Sequence, residues 1–416
     1  MSKAPDIADA VDMAAPPRHL HGPTGWRLFA DCALLGCTAW GGYMALLAQA
    51  QERFVKRRQW IAEKEFLDLI ALVTMLPGPQ AVNALAVMGY RVSGWSGFVA
   101  ALSGIVAPGV AIILALWWGY ASLAGHPDVL RAVVVGVLPP LALILGQAAA
   151  NQAKKATPER RHRVLAAACA LLLLLLGSRF WAASLCVLAF GALVSLLSWP
   201  APAVAEPAPG RRLRPLQLAL CIAPAGLAAF QLFPALLPQE LVAKVGLAFA
   251  GLSTTLFGGG LVMVPLLEGL LVGHLGWLSH DSFSAGLAAS QLTPGPILSI
   301  ATFTGMEVGG VAAALAATVG IYLPTALISV GVSGIADRLK GARRFQHAMA
   351  GVRCAVVGLI AGAALSLLAK LPWQAFAWQN LVLIAAAYGM VWHLKQPPYI
   401  SLPVGALLAW LLIQLG

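Results

Sequence analysis

Charged residues are scarce in this chain. Asp, Glu, Lys and Arg make up 10% of its 416 residues, against 60% hydrophobic ones, and the mean hydropathy is +0.82. Soluble domains carry roughly a quarter charged residues, so a soluble fold of this length is excluded. Cysteine is sparse too. Cys32, Cys37, Cys169, Cys186, Cys221 and Cys354 mostly fall inside apolar runs, and no two have C-x-x-C spacing. They read as small buried hydrophobes, not as a disulfide framework or a metal site. His-Glu-x-x-His is missing, and His126, His274, His280, His347 and His393 are scattered near loop ends. Neither a metal nor a cofactor is expected. There is no G-x-x-x-x-G-K-[ST] segment and no soluble domain to hold one, which argues against an ATP-driven pump. A membrane-embedded enzyme would want clustered His, Asp or Glu on facing helices, and no such cluster is present. The short alternating segments of a β-barrel are missing as well.

What is present is a series of apolar runs that reach the ~20 residues needed to cross ~30 Å of hydrocarbon. The expected fold is an all-α polytopic membrane protein. The formal net charge of +11 comes from Lys and Arg clustered between apolar runs, as in cytoplasmic loops, and not from a basic stripe interleaved with aromatics. Nucleic acid is therefore not an expected partner, whereas the lipid bilayer is. Residues 1–27 are polar and lack an apolar signal core, so they read as a cytoplasmic tail. Residues 28–199 form a first repeat, 200–215 a Pro/Ala-rich linker, and 216–416 a linking helix with a second repeat.

The repeat is visible in glycines, prolines and aromatics. Trp40-Gly41-Gly42 returns as Phe257-Gly258-Gly259-Gly260, Trp60 as Trp277, Phe66 as Phe283, and Pro77-Gly78-Pro79 as Pro294-Gly295-Pro296, all at an offset of 217 residues. After one deletion Gly89, Gly94 and Pro108 match Gly305, Gly310 and Pro324. Such coincidences at a near-constant offset mark an internal duplication. The charges invert between the copies. The basic stretch 53–64 corresponds to 270–281, which has no Lys or Arg, while the nearly uncharged 121–128 corresponds to 337–344, with Arg338, Lys340, Arg343 and Arg344. Equivalent loops then lie on opposite faces, which makes the copies inverted repeats.

Parity requires one run between 53–64 and 121–128 to return to its own side. Residues 66–90, broken at Pro-Gly-Pro, are the candidate for a re-entrant hairpin. The Gly-Gly segments pose the same choice: either they are re-entrant and 216–237 spans, or the reverse. The first is preferred and places the N-terminus inside. The C-terminus falls outside either way.

These motifs resemble the chromate ion transporter family in its two-domain form. The resemblance rests on the glycine pair after an aromatic, on Trp60-Ile61 to Phe66 and Trp277-Leu278 to Phe283, and on Leu76-Pro77-Gly78-Pro79 followed by Gly89-Tyr90-Arg91 and Gly94. Its second copy is Gln291-Leu292-Thr293-Pro294-Gly295-Pro296, followed by Gly305 and Gly309-Gly310. It covers roughly residues 28–415. It implies export of chromate across the bacterial inner membrane, coupled to the proton-motive force. Chromate or its structural analogue sulfate, together with protons, would be the partners, and a homodimer is allowed. Tyr43 stands where a proline often follows the glycine pair, and Thr74 where repeat two has Gln291, so the first-half site departs from the pattern.

An oxyanion inside a membrane protein needs partial positive charge that is cheap to bury. The N-terminus of a half-helix supplies orphan N–H groups and the positive end of the macrodipole, and proline suits such a first turn. Discontinuous helices in matching positions of two repeats point to a transporter's binding site. The expected substrate site is thus Gly41, Gly42, Pro77, Gly78, Pro79, Gln80 and Asn83 from one repeat. Gly258, Gly259, Gly260, Gln291, Thr293, Pro294, Gly295 and Pro296 come from the other, with Ser299 nearby. Arg91 and Glu307 occupy equivalent positions and are expected to attract the anion and to take a coupling proton, respectively.

Overall fold

The computed structural model describes residues 23–40, 42–176, 183–199, 240–256, 263–333, 343–374 and 377–414. Gly41, Gly258, Gly259, Gly260, the linker and the run 216–237 lie outside these. Among the described residues the chain is helical, with no strand.

Repeat one contains α1 (Gly25–Thr38), α2 (Gly42–Ala50), α3 (Glu63–Val73), α4 (Gln80–Ser122), α5 (Pro127–Ala156), α6 (Arg160–Leu176) and α7 (Ala183–Ser198). Repeat two contains α8 (Leu241–Thr255), α9 (Met263–Glu268), α10 (His280–Leu292), α11 (Ile300–Val332), α12 (Arg343–Ala369), α13 (Ala377–Tyr388) and α14 (Pro398–Gln414). Residues 80–122, 128–156, 297–332 and 346–369 are long and apolar enough to cross a membrane. The protein is an all-α, multi-pass membrane protein.

Two segments are sharply folded. Inside α4 the backbone breaks at Ser93 and Gly94, with Gly94 at φ +64°. Gly89 then lies against Gly97 and Ala101, a contact that a straight helix would forbid. Inside α11 the break falls at Gly309 and Gly310, with Gly310 at φ +67°, and Gly305 lies against Ala313 and Ala314. Only glycine adopts such a φ without strain, so the equivalent positions of the duplication make equivalent turns.

Before each break sits a hairpin. Helix α3 runs up to Pro77-Gly78-Pro79, and residues 80–92 run back. An Arg91–Glu65 ion pair of 2.9 Å closes the open end. In repeat two, α10 and residues 297–308 flank Pro294-Gly295-Pro296, and Gly286 packs on the Phe303 ring. Residues 66–90 form the hairpin expected there, broken at Pro77-Gly78-Pro79. The chain after α2 lies back along α1, because Arg53 and Arg58 reach Asp31 on α1.

The repeats are intertwined. α12 packs against α6 and α7, and α5 packs against α13 and α14. Backbones approach closely at Gly191 with Gly351 and at Gly136 with Gly405. Small residues permit this approach, and van der Waals packing rather than hydrophobic exclusion then holds such helices together in lipid. Cys32, Cys169 and Cys354 are buried as expected, but Cys37 and Cys186 are exposed on the helix surface.

Candidate functional site: the crossed hairpin tips

Each hairpin tip meets a helix end of the other repeat. The Gly78 N–H donates to the Leu256 carbonyl at 2.6 Å, and the Gly295 N–H donates to the Ala39 carbonyl at 3.0 Å. Leu256 and Ala39 are themselves equivalent residues, each at the end of the helix preceding a Gly-Gly break. Each Pro-Gly-Pro turn therefore caps the open C-terminal end of a helix from the other repeat. Gly78 has φ +103° and Gly295 has φ +91°, so both turns use the freedom of glycine. A Cβ on Gly78 would collide with the Thr325 side chain, and one on Gly295 would come within 3.0 Å of the Gly36 carbonyl.

Both bonds occupy donors that an anion could have used. The amides left for an anion are those of the first turns beyond, at Gln80-Ala81-Val82 and Ile297-Leu298, which lack intrahelical acceptors by geometry. Pro79 and Pro296 stand at the N-cap positions, one place earlier than the first-turn proline expected. α4 starts directly after Pro79, whereas repeat two inserts a short 3-10 turn, Ile297–Ser299, before α11.

The surroundings are buried and polar. Gln80, Asn83, Gln291, Thr293 and Ser299 are all buried. Asn83 donates from Nδ2 to the Pro77 carbonyl at 3.2 Å and accepts from Thr325 Oγ1 at 3.4 Å. Its amide thus ties the first tip to α11. Thr293 Oγ1 donates to the Ala289 carbonyl at 2.8 Å. The hydroxyls of Ser299 and Thr304 are buried with no partner among the described residues. A buried polar atom without a partner is costly and calls for water or a ligand. Gly109, beside Pro108 in α4, faces Thr293 and Pro294, just as Thr325, beside Pro324, faces Gly78.

Arg91 and Glu307 are not at this crossing. Arg91 closes the open end of its hairpin through Glu65, about 18 Å along the helix from the tip at 1.5 Å per residue. Glu307 is exposed and accepts a 2.7 Å bond from Trp117 Nε1. Gly42 opens α2, but Gly41, Gly258, Gly259 and Gly260 lie outside the described residues.

One charged group escaped the sequence reading. Asp31 is 3% exposed on α1. Arg53 Nε donates to its Oδ1 at 2.9 Å, while Arg58 donates to Oδ2 from Nε at 2.8 Å and to Oδ1 from Nη2 at 3.1 Å. A lone Asp in an apolar stretch was the available signal.

A multi-pass helical chain whose two repeats bring broken helices to buried polar residues is built as membrane transporters are. Comparison with known proteins narrows this. Residues 26–196 and 243–410 match the family described as Chromate transporter, and the chain belongs to that family. It is 30% identical over 372 residues to a chromate transport protein of Pseudomonas aeruginosa, covering 86% of this chain and 84% of that one. A probable chromate transport protein of Synechococcus elongatus is 28% identical, covering 79% and 81%. An uncharacterized transporter of Methanocaldococcus jannaschii is 24% identical, covering 85% and 86%. No solved structure matches.

Proposed function

We propose that this family member exports chromate across the bacterial inner membrane, driven by the proton-motive force. The supporting observation is the buried docking of each Pro-Gly-Pro tip on a helix end of the opposite repeat. There, two half-helix N-termini come from opposite repeats, and the buried Ser299 hydroxyl in the first turn of the second has no partner among the described residues. The substrate site comprises the Gly-Gly segments together with Pro77 to Gln80, Asn83, Gln291 and Thr293 to Pro296. Backbone amides stabilise a dianion there without burying a full cation.

The membrane potential supplies a direct driving force. Moving one charge through 100 mV is worth about 2.3 kcal/mol, so an outward-moving dianion gains about 4.6 kcal/mol, a gradient of roughly three decades. Arg91 attracts the anion at one mouth and Glu307 handles protons at the other. The N-terminus is cytoplasmic, the C-terminus periplasmic, and the assembly a homodimer, which cross-linking in membranes would test.

Radiolabelled chromate accumulation in expressing cells, with and without an uncoupler, tests the reading. Lowered accumulation that an uncoupler restores is expected. Unchanged chromate with altered sulfate content would move the assignment to a sulfate carrier, which the same backbone donors would also serve.

A further inference from the structure

The buried ion cluster on α1 has no counterpart in the other repeat. The positions equivalent to Asp31, Arg53 and Arg58 are Ala248, Leu270 and Leu275. α8 nevertheless packs along α11 as α1 packs along α4. The packing of this repeat therefore does not require the cluster. A neighbouring contact, by contrast, is kept in both: Gln51 with Glu63 at 2.9 Å, and Glu268 with His280 at 3.1 Å.

The turn after α2 sorts its cations into two sets. Lys56 and Arg57 pair outward with Glu52, each at 3.3 Å. Arg53 and Arg58 turn inward and converge on the single carboxylate of Asp31. α1 adds Arg27 and Cys32 nearby, and residues 95–122 of α4, packed against α1, carry no Asp, Glu, His, Lys or Arg. Two guanidinium forks around one carboxylate leave the cluster with one positive charge in excess. Desolvating the Asp31 carboxylate can cost more than its pairing returns, so stability is a weak reason for the cluster and a functional purpose is the alternative.

Its place in the fold suggests that purpose. Asp31 precedes Ala39, at the crossed tips, by about 12 Å of helix at 1.5 Å per residue. Arg58 remains 47% exposed, so the cluster opens to water on its other side. We propose that Arg53 and Arg58 form an oxyanion-binding site on the approach to the crossing, and that Asp31 is a tethered carboxylate that fills it when no substrate anion is bound. The ligand class rests on the oxyanion-carrier reading above. A tetrahedral dianion presents paired oxygens to both forks, as a carboxylate does. With the Asp31 carboxylate displaced, it also matches the charge of both cations, which a monoanion does not. The site therefore favours dianions such as chromate and sulfate over nitrate or chloride.

The test is equilibrium binding of labelled sulfate, and separately of chromate, to the purified full-length protein at neutral pH. Sulfate remains a dianion there and does not itself titrate. Asp31→Asn removes the competitor and should tighten sulfate binding about tenfold, while Arg53→Gln and Arg58→Gln should each weaken it about tenfold or more. A purely structural ion pair would instead lower the melting temperature of Asp31→Asn with no gain in affinity. Unchanged or weaker sulfate binding by a folded Asp31→Asn protein overturns the proposal. Where Asp31→Asn does not fold, wild-type binding by both arginine variants overturns it. Sulfate bound but not chromate, with the same mutant pattern, would retire the chromate reading and leave the site standing. Chromate export that persists while the mutant pattern fails would do the reverse. Failure of the wild type to bind either dianion overturns the site.

Discussion

The amide of Gly295 donates to the carbonyl of Ala39 across the boundary between the repeats, at 3.0 Å, and Gly78 repeats the bond to Leu256 at 2.6 Å. One interaction, made twice by equivalent residues, locks each broken hairpin to a helix end of the opposite repeat.

Gly78→Ala should abolish transport. The new Cβ must accept φ +103° and also meets the Thr325 side chain. Backbone strain of this kind costs about 1–3 kcal/mol before the collision is counted. Thr325→Gly in the same chain should restore part of the melting temperature, because it removes the collision but not the strain. Equal melting temperatures for the single and double variants would contradict this geometry.

Gly351→Ala should disrupt folding. Its Cβ would enter the Gly191 backbone where α12 crosses α7. Overpacking costs about 1–3 kcal/mol in a core that can yield, and here the obstacle is backbone. Gly119→Ala and Gly146→Ala have open space and should express and elute from a sizing column as the wild type does.

Arg91→Gln should raise the KM for chromate by about threefold at low salt and leave kcat unchanged, since a charge at the rim acts on encounter more than on the bound state. The effect should vanish at high ionic strength, where exposed charges are screened beyond a few ångströms. Loss of the half-exposed Glu65 pair should itself cost at most about 1 kcal/mol.

His162 gives a pH-dependent stability. It lies in the basic first turn of α6, its ring 4.5 Å from Trp199, and burial lowers its pKa below the ordinary 6.5. Below pH 6.5 the unfolded chain takes up a proton that the native imidazole resists, so native stability falls as pH falls through that window. His162→Gln should flatten the acid limb of a melting-temperature profile between pH 7 and 5. A profile identical to the wild type would show that the ring is not held neutral.

Much of this architecture was legible in the chain. The constant offset of glycines, prolines and aromatics reports the duplication, because a backbone at φ near +60° or +100° tolerates little but glycine, as Gly78, Gly94, Gly295 and Gly310 show. The inversion of charge between equivalent loops reports topology, because charge in a loop responds to the side of the membrane. Asp31 was not legible as a partner of Arg53 and Arg58. Those arginines fall in what reads as an ordinary basic loop, and only the tertiary fold brings them back along α1.

By itself the sequence determined the membrane environment, the helical fold, the inverted repeat and the places where helices must break, since each depends on local hydropathy or backbone freedom. The tertiary structure decided which breaks meet. Pairing Gly295 with Ala39 and Gly78 with Leu256 joins residues more than 170 positions apart, and no local preference encodes that choice. It follows from intertwining the two repeats, where close approach at Gly351 and Gly405 fixes how deeply one enters the other.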